Sequence, residues 1–542
     1  MFRTASQWRC LLAEEYIDRM KAGWIGQMVG VGWGAPTEFR YQGVTIPEGD
    51  VPAWQPHMVN QFWQDDLYVE MTFLRALERY GLGVTPRLAG VEFANSRYPL
   101  WHANWQGRDN LRQGIAPPDS GHPRFNPHAD DIDYQIEADF SGLIAPGLPQ
   151  AAIDLGEVFG RLMNYGDGVY GGQFIGGMYA AAFFEKEPVK IVEAGLRCIP
   201  PHSQYAEAIR DVLRWYHQYP GDWQRTWEQV NRKYHLRAEY RRFSCTRGDF
   251  NIDAKLNGAY VVMGLLYGQG DIERTIVVAM RCGQDSDCNP SSAAGVLFTT
   301  IGYSRLPEQF VSQLDERTNF AYTDYNFGRV VEVCLHLARQ VVVRYGGRVE
   351  RDERGKEVWW IPVKPVRPSR LVQSWSAEPA LNVRYTPRER ERIRELSWAQ
   401  ALAKTFEEWA PGWMLHDCGQ DMEPGLRDQW HGRRQVFVTH PLDRQTACRL
   451  TRTERLPADS RMRLRLIVGH HPQGDWTLVV RANGEELLRQ PVGRETARDG
   501  WLETTVDLSR YAGREVRLEL LNEPSGWAWE AAYWAKIALE AY

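Results

Sequence analysis

The sequence predicts a multidomain chain, with an all-α bundle followed by an all-β jelly-roll sandwich. Three observations predict it. Its 542 residues exceed what one core usually organises. Apolar residues recur at helical spacing through the first 345 positions, between loops rich in glycine and proline. From residue 414 onward, apolar and polar residues alternate with turn signals between them. The expected divisions are 1–345 for the helical domain, 346–413 for a connector with a short strand segment and a helix, and 414–542 for the sandwich.

The elements follow in order. Gly23, Gly26, Gly30, Gly32 and Gly34 crowd the first helix and its exit. Glycine is costly inside a helix, so this crowding implies close helix contact or backbone approaching a ligand. Residues 39–62, with Pro47, Pro52 and Pro56, read as irregular. Leu67, Met71, Leu74 and Leu77 place a helix over 67–80. Residues 98–129 again read as a long loop, with five prolines and Trp101, His102, Trp105, His122 and His128. Long ordered loops are usually functional, and these two are expected to rim a pocket. Helices follow over 151–163, 204–216, 258–266, 274–280 and 291–298. Val358 to Ile361 suggests a strand, and 385–412 a charged helix. Residues 461–467, 476–481 and 516–521 alternate as strands, with Asn483-Gly484 as a turn. Residues 501–542 resemble the closing strands of galactose-binding-like carbohydrate-binding modules. Such modules either bind sugar or brace a neighbouring domain.

Composition excludes several classes. A net charge of -5 gives no reason to expect nucleic acid or an anionic membrane surface as partner. No apolar run is long enough to cross a bilayer. The first twenty residues carry acids where a signal peptide would be apolar, so a cytoplasmic location is expected unless a leader has been removed. The eight cysteines form no CxxC pair and read as buried thiols in a reducing compartment. The 22 tryptophans suit either large cores or stacking on sugar faces.

Two motifs carry the chemistry. Gln64-Asp65-Asp66 precedes a helix, and adjacent carboxylates there need a cation, helix N-terminal donors or water. Capping alone would explain one such pair. Gly283-Gln284-Asp285-Ser286-Asp287-Cys288 repeats the arrangement before a second helix, on a turn between apolar segments. Carboxylates placed so suit Mg²⁺, Mn²⁺ or Ca²⁺.

Together with Gly34-Ala35-Pro36-Thr37-Glu38, these motifs resemble the ADP-ribosylglycohydrolase family, which includes the dinitrogenase reductase-activating glycohydrolases. The order matches its G-A-P-x-E, T-D-D-T and G-G-D-T-D-T elements over residues 15–310. The resemblance implies an all-α catalytic domain with one or two divalent cations, Mg²⁺ first among them. It implies Asp65, Asp66, Asp285 and Asp287 as metal ligands, with Gln64 keeping a neutral ligand oxygen, and Glu38 beside the scissile bond. The sequence also departs from the family. Gln64 and Cys288 replace the threonines that ligate metal, so one metal position is expected to be altered. The G-N-G-x-A-M-R loop is matched only by Asp139 to Pro146, with Leu143 where the arginine stands. Val31 replaces the Asp of the G-D-A-L-G stretch. Losing a cation weakens the case for a diphosphate substrate.

Other acids appear instead. Asp130, Asp131 and Asp133 are candidates for sugar hydroxyls or for general acid–base work, with a solvated loop as the plain alternative. Glu38, Asp66, Asp131 and Asp133 are the catalytic candidates. Substrate contacts are expected from Trp101, His102, His128, Asp130, Ser141, Tyr165, Asp167, Tyr170 and Asn251. Ser244-Cys245 has no evident partner, and Arg241-Arg242 reads as a solvated patch. No G-x-S-x-G elbow or phosphate loop is present. The reading is a metal-dependent glycoside hydrolase acting on a saccharide or glycoside. Removal of ADP-ribose and non-catalytic sugar binding are its alternatives.

Overall fold

The computed structural model describes residues 8–542. Residues 1–7, part of the segment read as unlike a leader, lie outside it. The chain forms two compact units, Met1–Glu395 and Leu396–Tyr542.

The helices that position the site in the first unit are largely buried, with an exposed face left on the sixth of them. They are α1 (Ala13–Gly34), α2 (Asp65–Tyr80), α3 (His102–Arg112), α4 (Asp167–Ala182), α5 (Ala254–Gly268), α6 (Ile272–Arg281) and α7 (Cys288–Ile301). All fifteen residues of α5 are buried, as befits a helix apolar on all sides. The glycines of α1 serve helix contact. A Cβ on Gly26 would meet the Ala294 carbonyl oxygen at 2.5 Å, and one on Gly30 that of Pro290 at 2.3 Å. Helices α1 and α7 thus touch backbone to backbone, which only glycine permits.

Residues 98–129 are not all loop. Leu100 to Ala116 contains no proline, and α3 forms there with Ala103, Gly107 and Leu111 buried on one face. Pro99 before it and the four prolines from Pro117 to Pro127 after it obscured it. Residues 39–62 hold only short 3₁₀ turns, Glu48–Asp50 and Pro56–Val59.

Strand β1 (Trp8–Leu12) precedes α1, and a small hairpin of β2 (Thr246–Arg247) and β3 (Phe250–Asn251) precedes α5. β4 (Arg348–Arg351) and β5 (Glu357–Pro362) complete a three-stranded antiparallel sheet with β1, in which Leu11 faces Trp359. Residues 346–395, expected to act as a connector, belong to this first unit. The physical reason is a series of polar ties. Val372 N donates to Tyr170, Ser374 Oγ to Asp130, and Val383 N to Asp119. The charged helix expected over 385–412 is broken. A single turn, Pro387–Arg390, is followed by α8 (Trp398–Trp409), which a Ser397–Gln400 capping box starts afresh.

The second unit is a sandwich of two five-stranded sheets. Its strands are β6 (Met414–His416), β7 (Gly425–Trp430), β8 (Arg433–Thr439), β9 (Cys448–Arg455), β10 (Met462–His470), β11 (Trp476–Ala482), β12 (Glu485–Val492), β13 (Trp501–Asp507), β14 (Glu515–Glu523) and β15 (Ala532–Ala541). The orders are β13-β10-β15-β8-β7 and β12-β11-β14-β9-β6. Trp476, Trp534, Leu466, Leu478 and Leu518 fill the space between. Asn483 and Gly484, with φ of 51° and 84°, turn β11 into β12.

All eight cysteines are free thiols. Among the described residues no helix is long and apolar enough to cross a membrane.

Candidate functional site

Three segments distant in sequence meet at the end of α1. A 3₁₀ turn, Ala35–Thr37, follows that helix. Thr37 Oγ1 lies 2.8 Å from Ser286 Oγ, and Phe39 N donates to Gln284 O at 3.1 Å. Gln284 N returns the bond to Tyr41 O at 2.8 Å. Gly283 holds φ at 80°, and a Cβ there would strike the Tyr41 and Val44 carbonyls at 2.6 Å. The Asp285–Asp287 turn is therefore clamped against the segment carrying Glu38.

The acids do not cap their helices. Gln64 is the N-cap of α2 and Asp287 that of α7, and neither makes a side-chain capping bond. Asp65 and Asp66 begin α2 and face the second pair. Asp65, Asp66 and Cys288 bring ligand atoms within 4.8 Å of one another, as do Asp285, Asp287 and Cys288. Cys288 thus stands between the pairs, its thiol donating to Asp287 Oδ1 at 3.7 Å. Both oxygens of Asp66 and Oδ1 of Asp285 are buried without a hydrogen-bond partner. Burial pushes all four carboxyls up, and mutual repulsion adds to it for Asp66 and Asp287. Burial first, then these four acids, holds the Cys288 thiol far above its usual range, so it stays protonated. Orphaned buried carboxylate oxygens in one cluster fit a hard divalent cation; the thiol is a poor ligand for one.

The cluster opens on a cavity of about 420 Å³. Glu38, Gln64, Asp65, Asp285 and Cys288 form one side. Trp63, Tyr68, Trp101, His102, Ile132, Asp133, Ile136, Phe39, Phe250 and Ile252 complete the wall. None of these residues is lysine or arginine. Glu38 sits at the rim, where partial enclosure, then Asp287 and Asp65, push its carboxyl up to about 8. Asp133 accepts from Asn104 N at 2.7 Å through Oδ1, while its Oδ2 is buried without a partner. Burial, then His128 and Arg247, lowers His102 to about 4, so its ring is neutral. Trp63 and Trp101 are 71% and 55% exposed.

The structure thus brings Glu38, Gln64, Asp65, Asp66, Asp285 and Asp287 together with Trp101, His102 and Asp133. Other expected residues lie off this cavity's wall, each with a polar contact inside the protein, although Oδ2 of Asp130, Asp131 and Asp167 and Nδ1 of His128 make no hydrogen bond. Asp131 accepts the Cys245 N–H at 2.8 Å and adjoins His128. Asp130 accepts from Ser374. Ser141 Oγ donates to Ala138 O, and Tyr165 OH accepts from Glu378 N. Tyr170 OH donates to Arg370 O. Asn251 is fully buried and braces the Gln284 side chain through its own N–H, while its neighbours Phe250 and Ile252 line the cavity. Arg241 is not a solvated patch, since it donates to the carbonyls of His235, Gly248 and Phe250.

Sequence reasoning missed Lys255. Its buried Nζ lies 3.0 Å from Asp253, 3.5 Å from Asp167 and 3.9 Å from Asp130. Those acids outweigh burial and keep it charged. It also missed a buried group behind Asp66, in which Gln27 donates to Glu70 and to Asp139, and Tyr179 donates to Asp139 at 2.6 Å. The signal available was an acid and an amide at buried positions of two apolar helices.

No curated protein matches the chain in sequence. Among solved structures, it is similar to an ADP-ribosylglycohydrolase-related protein complex at 16% identity, covering 60% of this chain and 99% of that one, with a TM-score of 0.39. It is also similar to the CBM22-1 xylan-binding domain from Paenibacillus barcinonensis Xyn10C, at 11% identity, 24% and 86% coverage and a TM-score of 0.19. CBM35 from Paenibacillus barcinonensis follows at 13% identity, 24% and 94% coverage and 0.19. The family model ADP-ribosylglycohydrolase matches residues 12–345, which span α1 to α7 and every carboxylate of the cluster. The chain belongs to the ADP-ribosylglycohydrolase family.

Proposed function

We propose that this protein hydrolyses the glycosyl bond of an uncharged saccharide or small glycoside, with a divalent cation, Mg²⁺ or else Mn²⁺ or Ca²⁺, held by Asp65, Asp66, Asp285 and Asp287. The observation that carries the reading is one cavity. It joins that carboxylate cluster to exposed aromatic rings and offers no lysine or arginine for a diphosphate. When bound, the cation orients sugar hydroxyls and polarises a water.

The chain's own residues do the rest. Trp63 and Trp101 offer ring faces at the mouth, suited to the apolar face of a sugar. Tyr68 OH donates to Pro99 O at 2.8 Å and fixes the wall between them. Glu38 and Asp133 present carboxyls to the same space from separate segments. One would give a proton to the departing oxygen while the other takes one from water, as glycosidic cleavage requires. Gln64 supplies an amide oxygen beside the carboxylates in place of a hydroxyl.

Family membership favours a second reading, removal of ADP-ribose from a protein or small molecule. A panel of nitrophenyl furanosides and pyranosides, run beside an ADP-ribosylated substrate, separates the two. Turnover of a simple glycoside supports the first reading. Cleavage of ADP-ribose conjugates without any glycoside turnover would replace it with the second.

A further inference from the structure

His102, His128 and Cys245 come from three separate segments. His102 opens α3, His128 lies in the loop before residue 133, and Cys245 immediately precedes β2. One ligand atom from each lies within 4.8 Å of the other two. The imidazoles meet edge to face, with centroids 5.9 Å apart. His102 is held at φ 45°, a region that non-glycine residues enter at a cost. Such strain persists where the surroundings fix it.

A second set of observations points to a ligand. Asp131, fully buried, grips the backbone N–H of Cys245 at 2.8 Å and sets its Oδ2 3.3 Å from His128 Nδ1. Neither of those two atoms makes a hydrogen bond. A carboxylate behind an imidazole is the arrangement that orients ligating histidines. The buried Oδ2 of Asp133, on the same cavity wall as His102, is also unpartnered.

We propose that His102, His128 and Cys245 form a binding site for a borderline-soft divalent cation of the Zn²⁺ class, with a ligand set distinct from the hard-cation carboxylate cluster. Two imidazole nitrogens and one thiolate suit that ion and not Mg²⁺. Tetrahedral ligation at roughly 2.0–2.3 Å sets ligand atoms about 3.3–3.7 Å apart, which small side-chain movements reach from the present spacing. Binding converts the Cys245 thiol to thiolate and releases its proton to solvent. Three protein ligands would leave a fourth position for water or a substrate oxygen, and His102 is itself part of the cavity wall.

Chelator-stripped full-length protein, kept reduced, is titrated with Co²⁺ as an optical probe. The site requires a thiolate-to-cobalt charge-transfer band with about one ion per chain, which Zn²⁺ displaces. Cys245→Ser abolishes the band, while His102→Gln and His128→Gln each weaken Co²⁺ binding by about tenfold or more. Cys288→Ser and Asp285→Asn leave it intact, which separates this site from the carboxylate cluster. Thermal melts confirm that each variant is folded, and the two histidine variants carry the test if Cys245→Ser does not fold. Absence of the band in folded wild type, its survival in Cys245→Ser or both histidine variants, or its loss in Cys288→Ser overturns the proposal.

Discussion

A Cβ placed on Gly34 would lie 2.2 Å from the carbonyl oxygen of Ser286. The last residue of α1 therefore rests on the backbone between Asp285 and Asp287. Gly34→Ala must push that turn away, at a cost of about 1–3 kcal/mol. It should also cut turnover, because the two carboxylates move with the turn. Gly49, with open space around its Cβ direction, is the control, and Gly49→Ala should shift stability by less than about 0.5 kcal/mol. Denaturant unfolding and turnover, measured on both variants, check the pair.

Asp66 buries two unpartnered carboxylate oxygens among three other acids. Asp66→Asn keeps the shape and removes a carboxyl whose charged form burial and its acidic neighbours disfavour. In chelator-treated protein it should raise the melting temperature, because repulsion and desolvation are relieved. The same variant should lose added-cation stabilisation and turnover. A melting temperature below that of chelator-treated wild type would contradict this account of the cluster.

Lys255 is the buried cation shared by Asp253, Asp167 and Asp130. Lys255→Met fills similar volume but leaves three buried acids without their counter-charge. A loss of about 3–5 kcal/mol is expected. Urea unfolding monitored by fluorescence provides the check, and a loss below about 1 kcal/mol would refute the role.

Trp63 and Trp101 are exposed at the cavity mouth, so neither contributes much to the core. Trp63→Ala and Trp101→Ala should leave unfolding within about 0.5 kcal/mol of wild type. Each should raise KM for the preferred glycoside several-fold, since stacked aromatic contact is worth about 0.5–1.5 kcal/mol. Unchanged KM in both variants would remove the stacking platform.

Much of this architecture was legible in the sequence, for physical reasons. Helical spacing in 67–80 and alternation in 476–481 reflect which face meets the core, and both became the expected elements. Helix α3 was hidden because prolines flank it and histidine, asparagine and glycine weaken its helical signal. The strap over 363–395 was illegible because it is held by scattered polar ties and by isolated apolar anchors such as Tyr385, which have no periodicity. At the site, paired acids on helix starts were readable because such pairs need an explanation. Asp130, Asp167 and Asn251 looked alike in sequence, but their partners Ser374, Lys255 and Gln284 are brought to them only by the fold.

The central claim is that the Asp65, Asp66, Asp285 and Asp287 cluster holds the cation that hydrolysis needs. The most direct measurement is turnover of the best substrate from the glycoside panel, before and after chelation and after adding back Mg²⁺, Mn²⁺ or Ca²⁺. Activity should vanish with chelator, return with at least one of these ions, and stay absent in Asp285→Ala whatever ion is supplied. Activity that survives both the chelator and Asp285→Ala would contradict it.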